Sequence, residues 1–316
     1  MLLALRPWTP LMPLHLLVGL ALASAPFPPA APAAHATSAP RHGIDRKDWN
    51  LPHRPLRIYG NTWYVGPYGL SSILVDTGRG LALFDGGLPA SASVIEANIR
   101  TLGFRMRDVK WILNSHAHAD HAGGIAALKR DSGAQVLASA DGRREMALGG
   151  ADRDDPQYGD TPGYPPVWDV RVVRDGEVVQ LGGVAFTAHY TPGHTPGSTS
   201  WTWNSCADGR CLRMAYADSL TAIGAPGFRF SDHPDRVNAF RQAIATVADL
   251  PCDVLLTPHP DASGFWQRVA RRPSGNAAAG LVDAAACSAY AATAAEGLNA
   301  RLADERAGGG KDRLRP

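Results

Sequence analysis

The strongest constraint on this chain is one stretch, Asn114-Ser115-His116-Ala117-His118-Ala119-Asp120-His121-Ala122-Gly123-Gly124. Three imidazoles and a carboxylate fall within six residues. They follow an apolar, β-branched run from Val109 to Leu113 and precede a helix-like segment from Ile125 to Arg130. At an extended strand end, side chains two apart share a face, so His116 and His118 can hold one metal together. Asp120 and His121 lie past the strand, where the chain turns toward the helix, and can serve a second metal nearby. Neutral imidazole and carboxylate are what zinc accepts, at about 2.0–2.2 Å. The alanines are small, and the two glycines let backbone approach backbone closely. A His-rich surface loop or satisfied core histidines would account for a lone His, but not for four ligand-type side chains at this spacing.

The rest of the chain is compatible with a secreted, soluble protein. Its 316 residues allow one large domain or two small ones, and 45% hydrophobic with 19% charged residues supports a sizeable core. A net charge of +2 provides neither a nucleic-acid footprint nor a polybasic membrane patch. Residues 1–25 read as a secretory signal, with Arg6 as the positive charge and Leu11–Leu22 mainly apolar. The apolar run is short of the ~20 residues a membrane span needs. Cleavage is expected after about residue 25 or 36, since Ala23-Ser24-Ala25 and Ala34-His35-Ala36 are both small-residue sites. Residues 1–36 are therefore assigned to a signal and an Ala/Pro-rich leader, 41–306 to the folded domain and 307–316 to a disordered tail.

Short alternating runs predict strands at 56–59, 62–65, 72–75, 80–85, 111–113 and 135–138. A second group is predicted at 170–174, 177–181, 184–189, 198–203, 212–217 and 253–256. Helices are predicted at 89–102, around 125–129, at 235–249 and from about Asn276 to Asp304. Residues 149–169 form a long loop, of the kind that is often functional. Two similar halves, each strand-rich and then helical, predict two facing sheets with helices outside.

A dinuclear centre needs more ligands. Two turn-rich segments offer one His each just past a strand: Gly193-His194-Thr195-Pro196-Gly197-Ser198 and Thr257-Pro258-His259-Pro260. His42, His53, His189 and His233 lack such a context and read as ordinary.

Together with His-Ala-His-Ala-Asp-His, these segments resemble the metallo-β-lactamase superfamily, and within it the third subclass of class B β-lactamases. Trp63-Tyr64-Val65-Gly66, Phe84-Asp85-Gly86-Gly87 and Ala217-Asp218-Ser219-Leu220-Thr221 agree with it, and the similarity runs from about residue 55 to 305. The resemblance implies an α/β fold, the αββα sandwich, with a dizinc site at the edge of the two facing β-sheets. It implies His116, His118 and His194 on the first of two Zn²⁺ per chain, and Asp120, His121 and His259 on the second. Ser219 stands where other subclasses place a Cys ligand.

The implied activity is hydrolysis of the β-lactam amide bond by a metal-bound hydroxide, conferring resistance to β-lactam antibiotics, carbapenems included. Asp120 would act as the catalytic residue that orients the hydroxide. Ser219 and Thr221 would lie near the substrate carboxylate, and Gln157 and Tyr164 in the long loop are further substrate-binding candidates. The implied partner is a small-molecule β-lactam in a bacterial periplasm, with no nucleic acid and no membrane after signal removal. The alternative is a secreted hydrolase of the same fold acting on thioesters or lactones, like glyoxalase II or the lactonases. There an Asp in the segment of Asp218 bridges the metals, and the sequence leaves open whether Asp218 touches one. A metal-binding module without catalysis is the third reading.

The four cysteines allow three pairings. Cys206-Ala207-Asp208-Gly209-Arg210-Cys211 reads as a hairpin tip whose strand ends bring two cysteines within bridging distance. That pairs Cys206 with Cys211 and leaves Cys252 for Cys287.

Overall fold

The computed structural model describes residues 46–272 and 279–308. The signal and leader expected at 1–36, and residues 309–316 of the expected tail, lie outside the described residues. Those described belong to one compact unit spanning residues 43–316.

A seven-stranded sheet contains β1 (Leu56–Tyr59), β2 (Thr62–Tyr64), β3 (Ile73–Asp76), β4 (Leu81–Phe84), β5 (Val109–Leu113), β6 (Gln135–Ala138) and β7 (Val170–Val172), in that order. The first four strands pair antiparallel, and β4 through β7 run parallel. A five-stranded sheet contains β8 (Val178–Leu181), β9 (Val184–Tyr190), β10 (Thr199–Ala207), β11 (Arg210–Tyr216) and β12 (Val254–Leu256). It is antiparallel except for the β11–β12 pair. Around the sheets stand α1 (Ser91–Thr101), α2 (Ala119–Ala122), α3 (Ile125–Ser132), α4 (Ala140–Ala147), α5 (Pro234–Ala248), α6 (Phe265–Ala270) and α7 (Ala286–Arg306).

The two-residue period of the strands decides the layering. Ile73, Val75, Phe84, Leu113 and Leu137 point inward and meet Phe186, Trp201, Trp203, Met214 and Tyr216 of the other sheet. Their neighbours Leu74, Leu83, Ile112 and Val136 point outward, onto Ile95 and Ile99 of α1 and Ile125 and Leu128 of α3. On the far side, Ala215 and Leu255 pack against Val237, Phe240 and Ile244 of α5 and Ala291 and Leu298 of α7. This is the expected αββα sandwich. Because both sheets are covered twice, β4 is buried at every position and reads as a continuous apolar run.

Three elements differ from the expectations. Helix α4 was not anticipated, because its sequence is mostly polar and only Gly142, Glu145 and Met146 are buried. The Ser139 hydroxyl caps it by accepting from the Gly142 amide at 3.0 Å. Helix α6 is too short for its periodicity to stand out. The last helix starts at Ala286 rather than near Asn276, a residue outside the described ones. Asp283 draws the chain into a turn first: its carboxylate takes the Ala285 amide at 2.9 Å and its amide donates to the Asp253 carbonyl at 2.8 Å.

Candidate metal centre

The ligand-type residues sit where strands end at one edge of the sandwich. His116 and His118 follow β5, His194 follows β9, Asp218 follows β11 and His259 follows β12. The turn after β5 is held from beneath by Asp85, which is fully buried with φ +55°. Its carboxylate accepts from Asn114 Nδ2 (3.0 Å), the Ser115 amide (2.8 Å), Ser115 Oγ (2.6 Å) and the Tyr216 hydroxyl (2.8 Å). Burial pushes the Asp85 carboxyl up to about 6, against the pull of His121 and those donors. A non-glycine residue at this φ is strained, and four hydrogen bonds offset the strain. Beside it, a Cβ on Gly124 would collide with the Gly86 carbonyl, which explains one glycine of the motif.

Two clusters of ligand atoms result, each with its atoms within 4.8 Å of one another: His116, His118 and His194, and then Asp120, His121 and His259. In the first, the three rings stand 4.8–4.9 Å apart between centroids. Each ring uses one nitrogen outward from the cluster. His116 Nδ1 donates to Asp218 Oδ1 at 2.7 Å and His118 Nε2 to Asp155 Oδ2 at 2.7 Å. His194 Nδ1 is shared by the carbonyl and the hydroxyl of Thr221, both at 3.0 Å. The opposite nitrogens are thereby fixed as acceptors facing one another. His116 Nε2 is buried with no hydrogen-bond partner among the described residues, as a metal-ready nitrogen should be.

In the second cluster, His121 Nε2 and His259 Nε2 approach to 3.1 Å, and Asp120 Oδ2 lies 3.3 Å from each. The ring of His116 is 4.4 Å from that of His121, so the clusters are adjacent. Trp49 forms a wall beside them, its ring 4.9 Å from that of His259.

The electrostatics of most of these groups fit cation binding, although Asp120, against burial, raises His121. Burial, then the neighbouring imidazoles, lowers His116 well below its ordinary range and His194 to about 3. Burial also lowers His259. These rings are neutral, the state a metal requires. Burial opposes the charge of Asp120, but His121 and His259 hold its carboxyl well below the usual range. The residues present fit metal binding at both clusters.

The structure brings together all six expected ligands. Asp218 joins neither cluster, and its Oδ1 is taken by His116. Ser219 is buried nearby, and Thr221 holds His194. In the long loop, the Tyr164 hydroxyl donates to the Ala117 carbonyl at 2.6 Å, bracing the metal-binding turn, and Gln157 is buried. His53 lies tilted against Trp266, His189 hydrogen-bonds Thr202 Oγ1 and His233 stacks on Phe228, all apart from the centre, while His42 lies outside the described residues. Sequence reasoning missed Asp155 and the structural role of Asp85. The only available signal was that Asp85 interrupts an apolar strand before Gly86-Gly87.

Comparison with known proteins agrees with this geometry. The sequence model of the metallo-beta-lactamase superfamily matches residues 65–206. MEM-A1, a subclass B3 metallo-beta-lactamase from a soil metagenome library, is 48% identical with a TM-score of 0.80, over 83% of this chain and 100% of that one. The chain belongs to the metallo-beta-lactamase superfamily. The metallo-beta-lactamase MIM-1 from Novosphingobium pentaromativorans is 46% identical with a TM-score of 0.80, over 85% of this chain and 96% of that one. Rm3 metallo-beta-lactamase is 51% identical with a TM-score of 0.79, over 82% and 97%. More distant superfamily relatives include a hydroxyacylglutathione hydrolase of Anaeromyxobacter dehalogenans, 35% identical over 164 residues. That match spans 52% of this chain and about half, 51%, of the relative. Another, from Acidiphilium cryptum, is 26% identical over 84% of this chain and 90% of that protein.

Proposed function

We propose that this protein is a zinc-dependent β-lactamase that opens the β-lactam amide with water and protects a bacterium from β-lactam antibiotics, carbapenems included. The observation that carries this is the pair of adjacent clusters, which brings together all six expected ligands in a chain 42% and 48% identical to two subclass B3 enzymes. His116, His118 and His194 would hold one Zn²⁺, and Asp120, His121 and His259 a second. Zinc at such sites polarises carbonyl groups and lowers the pKa of water toward 7.

The chain's own residues then do the following. Asp218, Asp155 and Thr221 fix the ring orientations of His116, His118 and His194, whose nitrogens would leave a zinc held there strongly Lewis-acidic. Asp120, ionised and partly open to the cleft, accepts a hydrogen bond from the attacking water and orients it as the water gives up its proton. Oxygen adds to the lactam carbonyl carbon, the C–N bond breaks, and the nitrogen takes up the proton, giving a β-amino acid product. Ser219 and Gln157 are placed by this reading against the substrate, with Thr221 acting through His194 and Tyr164 through the turn it braces. No serine nucleophile takes part.

Thioester hydrolysis, the activity named for the curated relatives, uses an Asp between the metals. Asp218 instead accepts from His116, which favours the lactam reading. The signal-like N-terminal sequence and the two disulfides support export to the periplasm. The test is zinc content together with turnover of nitrocefin, a carbapenem and a glutathione thioester. Lactam turnover that EDTA abolishes and clavulanate spares is expected. Thioester turnover alone, or full activity after exhaustive chelation, overturns the proposal.

A further inference from the structure

Behind His118 lies a third convergence of ligand-type atoms that the six-ligand centre does not use: Glu145, Asp155 and His118, all buried and within 4.8 Å of one another. Glu145 comes from α4 and is 1% exposed. Neither of its carboxyl oxygens receives a hydrogen bond from a donor among the described residues. A carboxylate so placed is costly without a counter-charge. The adjacent Arg144 does not supply one, because its guanidinium turns outward to Asp152 (2.7 Å) and Asp154 (2.8 Å). The Tyr164 phenol, also close by, is committed to the Ala117 carbonyl. The nearest polar group left is Asp155, whose Oδ2 is occupied by His118 and whose Oδ1 accepts the Gln157 amide at 2.6 Å.

We propose that Glu145 is a positioning residue for the first metal cluster: as an uncharged acid it donates to Asp155 and so fixes the ring of His118. Two carboxyl groups facing each other in a space closed to water persist by sharing a proton. Burial, with Asp155 beside it, raises the Glu145 carboxyl well above its ordinary range, in keeping with that role. The arrangement extends the familiar carboxylate–histidine support of a metal ligand by one more layer. It also gives a mostly polar helix a reason to bury an acid.

The inference rests on the reading of His118 as a metal ligand, and the test separates the two. Stepwise zinc dissociation constants are measured by competition with a chromophoric chelator, with thermal unfolding of the metal-free form as a control. Glu145→Ala is expected to raise one of the two constants about 10–100-fold, as outer-layer partners of metal ligands do. Glu145→Gln keeps a donor of the same shape and is expected to stay close to the parent. In a His118→Ala background, Glu145→Ala should add nothing, since it acts through that ring. If the parent protein binds no zinc, the metal-centre reading fails. If it binds zinc but Glu145→Ala leaves both constants unchanged, or Glu145→Gln loses as much as Glu145→Ala, the positioning role is refuted. The conservative variant preserves volume and polarity, so the test survives a Glu145→Ala protein that does not fold.

Discussion

The two disulfides offer a quantitative test of how the second half of the sandwich is held. The structure joins Cys206 to Cys211, five residues apart, across the β10–β11 hairpin, and Cys252 to Cys287, 35 residues apart. On the chain-entropy account, closing loops of these lengths restricts the unfolded state by about 2.1 and about 3.8 kcal/mol. Burial adds to the difference. Cys252 and Cys287 are 3% and 1% exposed within the core beneath α5 and α7, whereas Cys206 and Cys211 are exposed. Replacing the inner pair by alanine therefore also leaves lost contacts in a packed interior. The Cys252/Cys287→Ala protein should be less stable than Cys206/Cys211→Ala by about 2 kcal/mol or more, or about 4–8 °C in Tm for a domain of this size. The inner bridge also anchors α7, whose Tyr290 hydroxyl donates to the Asp218 carbonyl (3.0 Å) and accepts the Leu220 amide (3.1 Å). Its loss should thus lower turnover at temperatures below unfolding. Calorimetry at fixed zinc concentration reads the Tm gap, and non-reducing peptide mapping reads the pairing. Equal Tm losses, or a Cys206–Cys252 peptide, would refute the reasoning.

Other outcomes follow from the same geometry. His118→Ala should lose the first zinc while His259→Ala mainly weakens the second, measured as metal per chain; unchanged stoichiometry in both would count against the ligand sets. Gln157→Ala should change KM across β-lactams with zinc content intact, and a uniform loss of metal would mark its loop as purely structural. Glu305 carries a pH signature. Burial opposes its charge, but the Ser231 amide and Arg301 outweigh that and lower its carboxyl below the ordinary value. A lowered carboxyl contributes stability above its unfolded pKa of about 4.5 that is lost as pH falls through the folded value. The stability gap between the parent and Glu305→Gln in urea should therefore be full at pH 7 and shrink on acidification below about 4.5. A gap that grows as pH falls would contradict it.

What the sequence disclosed and what it hid differ for a physical reason. His116, His118, Asp120 and His121 were legible because a strand end and one helical turn place close neighbours on a common point, so spacing alone encodes the site. His194 and His259 were legible because each stands alone in a turn just past a strand. The sandwich was legible because buried strands read as apolar runs and covered helices keep their period. Asp155 was hidden beside Asp152 and Asp154, where three acids within four residues look like a solvated loop. Only the tertiary fold turns one of them inward onto His118, while Arg144 takes the other two. Glu145 was hidden for the same reason, in a helix whose polarity argued for the surface. Residues that bind a metal must be near one another and carry an unusual composition. Residues that aim those ligands need only one hydrogen bond each, which leaves no pattern in the chain. Disagreement between a polar local sequence and a buried position, as at Asp85, Glu145 and Asp155, is therefore itself a marker of the layer supporting the metal centre.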